Sequence, residues 1–233
     1  MARKMELLED LYAQALGSVT QNPESWMNFL RSACRNYRLP FDEQLLVHVQ
    51  RPDAIAVLEI EKWNSKFGRW VKRGSKGIAV FDKRTGTTRL KYYFDLSDTQ
   101  ESRHKHFVRP VPLWEAEEES QAAIEEALAN TFGVPEKTDG LADTILKAAE
   151  NAASDNLLDY LPDILTNRSE SFLEELDEQS ATIEVRTMLA NSIAFMAMVR
   201  CGLETKDYLS AEDFRNMTQF NTPGLVNLFG TAT

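Results

Sequence analysis

Residues 63–80 read WNSKFGRWVKRGSKGIAV, and the change of period inside this stretch decides the fold. Up to Gly68 the apolar residues keep helical spacing. Beyond it the chain breaks into short pieces rich in β-branched and aromatic residues, separated by glycine turns. The same 18 residues hold two tryptophans, one phenylalanine, five Lys/Arg and three glycines. Aromatic faces stack on unpaired bases, and Lys and Arg neutralise phosphates. Glycine admits a ligand where a side chain would block it. A sequence-tolerant binder of single-stranded nucleic acid needs all three together.

Upstream, the pattern is helical. Leu7, Leu8, Leu11, Ala15 and Leu16 share one side of a helix predicted over 5–16, which Gly17 should stop. Asn22 caps a second helix with Pro23 in its first turn, where a missing N–H costs nothing. Trp26, Phe29, Leu30 and Ala33 form its buried stripe. A third apolar segment covers 43–49. Asp53 is expected to cap a fourth helix running to Trp63.

Downstream, strands are expected at 70–71, 77–82 and 87–96, with turns at Gly74-Ser75-Lys76-Gly77 and Lys83-Arg84-Thr85-Gly86. In the last strand Arg89, Lys91 and Tyr93 alternate with Leu90, Tyr92 and Phe94, so the first set is read as the solvent face and Tyr92 as the core partner. Asp95, Ser97 and Asp98 should end that strand in a turn. The fold class is therefore α+β: a small antiparallel curved sheet on N-terminal helices, followed by an all-α C-terminal region. Residues 1–115 form the first expected domain. Residues 116–233 form an acidic helical one, with helices at 116–130, 141–153, 157–165, 171–178 and 179–202, and another starting at a capping box near Ser210.

Charge divides the same way. Of 26 basic and 36 acidic residues, the first 115 positions hold 19 and 14, net +5, and the remainder 7 and 22, net −15. Within 62–109 there are 13 basic and 4 acidic residues, net +9. A polyanion feels the local field, since screening acts over roughly 8 Å at physiological salt. The bland alternative is a solvated basic face, which leaves the interleaved aromatics unexplained.

Motifs for catalysis are missing from the sequence: no P-loop, GxGxxG, HExxH or Gly-x-Ser-x-Gly elbow. His104 and His106 make a weak metal pair without a third ligand nearby, and His48 reads as an interior histidine. Adjacent glutamates such as Glu174 and Glu175 are a solubilising face rather than an acid–base pair. No enzyme activity, cofactor or metal is expected. Cys34 and Cys201 read as small core residues, which suits a reduced, cytoplasmic setting. The N-terminus is not a signal peptide, and 193–199 is too short to span a bilayer.

Twelve residues make up the expected nucleic-acid surface: Trp63, Arg69, Trp70, Lys72, Arg73, Gly74, Lys76, Gly77, Arg84, Arg89, Lys91 and Tyr93. Trp63 is equally compatible with the core at a helix end. If Val71 points inward, Trp70 points outward with Lys72, making Trp70 the first stacking platform and Tyr93 the second. Gly74 and Gly77 serve the turn, approach a phosphate, or both. Each stacked base contributes on the order of 1–3 kcal/mol, so two platforms and several phosphate contacts suffice for micromolar binding.

The spacing Trp63-x4-Gly68-Arg69-x-Val71-x-x-Gly74-x-Lys76-Gly77-Ile78, followed by Tyr93-Phe94-Asp95-Leu96-Ser97-Asp98-Thr99, resembles the N-terminal single-stranded DNA-binding domain of the ArdC antirestriction family. The block from Asn36 to Thr99 also looks like the start of large helicase- and methyltransferase-containing proteins of bacterial conjugative elements. The resemblance covers about residues 5–114. It implies an α+β domain binding single-stranded DNA in mobile-element transfer or an antirestriction-related process, alongside other domains of a larger protein. The family's C-terminal metallopeptidase part carries His-Glu-x-x-His, which this sequence lacks, so peptidase and antirestriction activities are not carried over. The end at LFGTAT is read as a cut within something longer. The competing reading is a protein-interaction scaffold whose acidic helices dock a partner or mask the basic surface. A DNA-mimic inhibitor and a metal-dependent nuclease rank below it.

Overall fold

The structure is a computed structural model describing residues 2–83, 87–104, 108–114, 116–135 and 138–233. In chain order its main elements are α1 (Ala2–Val19), α2 (Pro23–Ala33), α3 (Phe41–Gln50), β1 (Val57–Leu58), α4 (Ile60–Phe67), β2 (Arg69–Val71), β3 (Ile78–Asp82), β4 (Arg89–Asp95) and β5 (Thr99–Glu101). The helices α5 (Gln121–Phe132), α6 (Leu141–Thr166), α7 (Glu178–Arg200) and α8 (Pro223–Ala232) follow. The chain is α+β, with its small antiparallel sheets confined to the first half and a helical C-terminal region.

Two compact units divide the chain. One comprises residues 1–15 and 35–114, the other residues 16–34 and 115–233. Residues 16–34, counted with the first half on sequence grounds, therefore pack with the second. Helix α2 shows why: Trp26 is fully buried and its indole N–H donates to Ser192 Oγ of α7 at 2.9 Å. Its ring also meets Phe29 and Phe229. The apolar stripe of α2 was legible; its partner 166 residues away was not.

In the first unit the strands form two sheets, a three-stranded one in the order β1-β4-β3 and a ribbon of β2 with β5. All pairs are antiparallel, with Ile78 opposite Tyr93, Val80 opposite Lys91 and Trp70 opposite Gln100. The core gathers Leu8, Leu46, Val47, Ala54, Val57, Ile78, Val80, Phe81 and Tyr93. Helix α3 packs on β3, where the Gln50 amide bonds both the N–H and C=O of Ala79 at 3.0 and 2.8 Å. That side chain stands in for a neighbouring strand at an otherwise open edge.

Several local expectations are corrected. Asp53 starts no helix: the carboxylate of Asp95 captures the N–H groups of Ile55 and Ala56 at 2.7 and 3.0 Å, and Val57–Leu58 pairs with β4 instead. Gly17 does not stop α1, because Ala15, Leu16 and Val19 around it are buried. Their packing outweighs the ~1 kcal/mol that glycine costs a helix. Residues 171–178 form only a short 3-10 turn, Phe172–Glu175, and the Ser210–Asp213 capping box starts a 3-10 segment over Ala211–Gln219. The expected break near residue 155 is bridged by one long helix, α6, in which Asn156 is tied to the carbonyl of Ala232 at 2.9 Å. Strand β5 and helix α8, capped by Thr222, have no counterpart in the sequence reading.

Candidate nucleic-acid interface

Helix α4 ends at Gly68, whose left-handed φ of 61° lets its N–H close on the last turn and turns the chain into β2. In β2 the side chains of Arg69 and Val71 are half-buried while that of Trp70, between them, is 51% exposed. The expected parity thus holds for this tryptophan. Ser75 N–H closes a turn on the carbonyl of Lys72 at 3.2 Å. Gly74, at the third position, carries φ +89°, a region glycine enters without strain. Lys72, Arg73 and Lys76 project from this exposed turn.

The cations differ in how freely they can meet a phosphate. Arg73, Lys76 and Arg89 are exposed and form no ion pair with any described residue. Lys72 is exposed but donates to the carbonyl of Ser97 at 2.8 Å. Arg69 is held by Thr99 Oγ1 at 2.7 Å and Glu101 at 3.4 Å, with only 17% of its side chain exposed, so its work is to clamp the ribbon. Lys91 lies over the Tyr93 ring and ion-pairs with Glu43 at 2.6 Å, where it is part of the core rather than a phosphate ligand. Arg84 lies outside the described residues, as does His106.

One open choice among the aromatics is settled and one expectation, Tyr93, is overturned. Trp63 is fully buried and donates its indole N–H to the carbonyl of Phe94 at 2.8 Å, beside the ring of Phe67. Its face is committed to the core. Tyr93 is 4% exposed and its hydroxyl donates to Glu43 at 2.6 Å. Strand β4 therefore presents the opposite face from the one read in the sequence: Lys91, Tyr93 and Asp95 point inward, and Tyr92 is exposed. Alternation was right and its phase wrong. The missing signal is polar: Asp95 must be inside to satisfy the 55–56 backbone, and the buried Glu43 of α3 needs the lysine and hydroxyl opposite it.

Behind the turn, a polar knot fixes the strand ends. Asp95 accepts hydrogen bonds from Ile55, Ala56 and Ser97, while Asp98 pairs with Arg51 at 2.6 Å. Burial pushes the Asp95 carboxyl up, but the Ser97 hydroxyl and three backbone N–H groups outweigh it, leaving the group below the usual carboxylate range. Arg51 and Asp98 neutralise each other, as do Arg69 and Glu101. Those pairs hold Arg51 and Arg69 away from a ligand, while Lys72, Arg73 and Lys76 lie exposed together on the 72–76 turn and Lys66, Arg89, Arg103 and Arg109 are exposed elsewhere in the segment. His48, half-buried, is pushed below the usual histidine range by burial and by Arg35.

Gly77 has a structural reason of its own. A Cβ there would fall 3.1 Å from Tyr92 Cβ and 3.2 Å from Phe94 Cζ. The glycine admits those two side chains. Among the described residues, no group of three or more His, Cys, Asp or Glu is gathered to hold a metal ion, and no helix is long and apolar enough to cross a membrane. No protein-family model, curated protein or solved structure matches the chain.

Proposed function

We propose that this chain is a non-enzymatic, largely sequence-independent single-stranded DNA-binding module of the cytoplasm. It would serve mobile-element transfer or an antirestriction-related process, as its resemblance to the ArdC N-terminal domain implies. One observation carries the reading: a half-exposed tryptophan, Trp70, stands on a strand that runs directly into a turn holding Lys72, Arg73 and Lys76. A base stacks on the indole and the adjoining phosphates meet the turn, without base-edge hydrogen bonds. The test is fluorescence anisotropy of the full chain with single-stranded DNA, duplex DNA and single-stranded RNA at two salt concentrations. Preference for single-stranded DNA, affinity falling steeply with salt, and weakening by Trp70→Ala in a still-folded protein support it. Salt-insensitive or duplex-preferring binding refutes it.

A second reading, a scaffold docking a basic partner, has its own observation in the other unit. Asp155, Asp159 and Asp163 recur every fourth residue on α6, all exposed and without an ion pair among the described residues. Like charges at that spacing destabilise a helix, and a cationic partner would relieve them. Neutralising all three to Asn leaves DNA binding unchanged under the first reading and abolishes partner capture under the second.

A further inference from the structure

We infer that Tyr92 is a second base-stacking platform and that Gly77 holds its ring ready for a base; this rests on the single-stranded DNA reading above. The inverted phase of β4 takes Tyr93 out of consideration and brings its neighbour, 40% exposed, to the surface. The Tyr92 hydroxyl forms no hydrogen bond with a described residue. Across the sheet it faces the small side chain of Ala79.

The glycine supplies the second half of the site. Because a Cβ at Gly77 would sit 3.1 Å from Tyr92 Cβ and 3.2 Å from Cδ1, the ring lies against bare backbone on that side. A ring braced on one side loses little freedom when a base covers the other, which lowers the ordering cost of binding. Lys76, exposed and without an ion pair among the described residues, immediately precedes Gly77 and provides the phosphate contact. The two aromatics therefore flank one cationic turn: Trp70 lies two residues before Lys72, and Tyr92 packs on the residue after Lys76. A single strand would meet indole, turn and phenol in that order.

An aromatic ring over a glycine in a sheet also has a purely structural use, shielding the strand. Leucine at this position separates the two roles, because it covers the glycine but has no π-face. The full chain and its Tyr92→Phe, Tyr92→Leu and Trp70→Ala variants are titrated with a fluorescent thymidine oligonucleotide at fixed salt, with thermal melts alongside. Tyr92→Phe is expected to keep wild-type affinity, and Tyr92→Leu to lose about 5- to 150-fold, the measure of one stacked base, with its melt little changed. Photocrosslinking of wild-type protein to an oligonucleotide carrying 5-iodouracil should yield a modified peptide containing Tyr92. If wild type binds and Trp70→Ala weakens it while Tyr92→Leu does not, or crosslinks avoid Tyr92, the second platform is refuted and the first stands. If wild type does not bind single strands at all, the reading of the interface falls and this inference with it.

Discussion

Replacing Asp95 by Asn removes one charge and no volume, yet it should be among the most damaging conservative changes in the first unit. Asp95 is 1% exposed, and every group around its carboxylate is a donor. Oδ1 accepts from the N–H groups of Ile55 and Ala56 at 2.7 and 3.0 Å, and Oδ2 from Ser97 N–H at 2.9 Å and from the Ser97 hydroxyl. An amide offers one oxygen and one NH2. Turned so that its oxygen keeps the 55–56 pair, it confronts the Ser97 N–H with a donor. The hydroxyl can rotate to accept, but the N–H cannot. One stranded amide costs about 1–3 kcal/mol, and the two bonds that lose a charged acceptor weaken by about 1 kcal/mol together. Asp95→Asn is thus expected to destabilise by about 2–4 kcal/mol. The check is urea unfolding followed by tryptophan fluorescence, to which the buried Trp63 contributes, combined with hydrogen exchange of the Ile55 and Ala56 amides. The midpoint should fall with an unchanged slope, and exchange at those amides should accelerate. A loss under about 1 kcal/mol with exchange unchanged would refute the idea that this carboxylate, rather than local propensity, keeps residues 53–56 out of a helix.

Acid should expose the same interaction. The folded-state pKa of Asp95 is depressed, so its contribution to stability is complete above the unfolded value of roughly 3.9 and is lost as pH falls through the lower folded value; Asp95→Asn should flatten that limb of the stability–pH curve. Glu43→Gln leaves Lys91, 13% exposed, without its counter-ion and should cost about 3–5 kcal/mol in urea melts. The double change with Lys91→Met should recover part of that loss, and an additive double mutant would contradict the coupling. Trp63→Phe removes a buried N–H bond and ring volume and should cost about 2–4 kcal/mol, with any loss of DNA affinity vanishing under conditions where the protein stays folded. Arg73→Ala with Lys76→Ala should leave the melting temperature unchanged and flatten the slope of log affinity against log salt by about 1.4, at about 0.7 per contact for single strands. An unchanged slope would remove both from the interface.

Local chemistry in the sequence determined the capped start of α2 at Asn22-Pro23, the left-handed turn at Gly68, the outward placement of Trp70 and the α+β class itself. Each follows from neighbours within a few residues, through a missing N–H, a positive φ or the period of a short strand. The phase of β4 was beyond that reach. RLKYYFD alternates equally well on either face, since both put aromatics inside. Glu43 on α3 and the amides of Ile55 and Ala56, all dozens of residues away, settle it by needing Lys91, Tyr93 and Asp95 turned toward them. The same distance hid the fate of Trp63, the clamp on Arg69 by β5, and the packing of residues 16–34 with the second unit. Burial and ion pairing are properties of partners, and the strand carries no record of which distant segment will supply them. The tertiary structure alone therefore decided which candidates stay in solvent: of the twelve, Trp70, Lys72, Arg73, Gly74, Lys76 and Arg89 are exposed, and Tyr92, which was not among them, joins the surface.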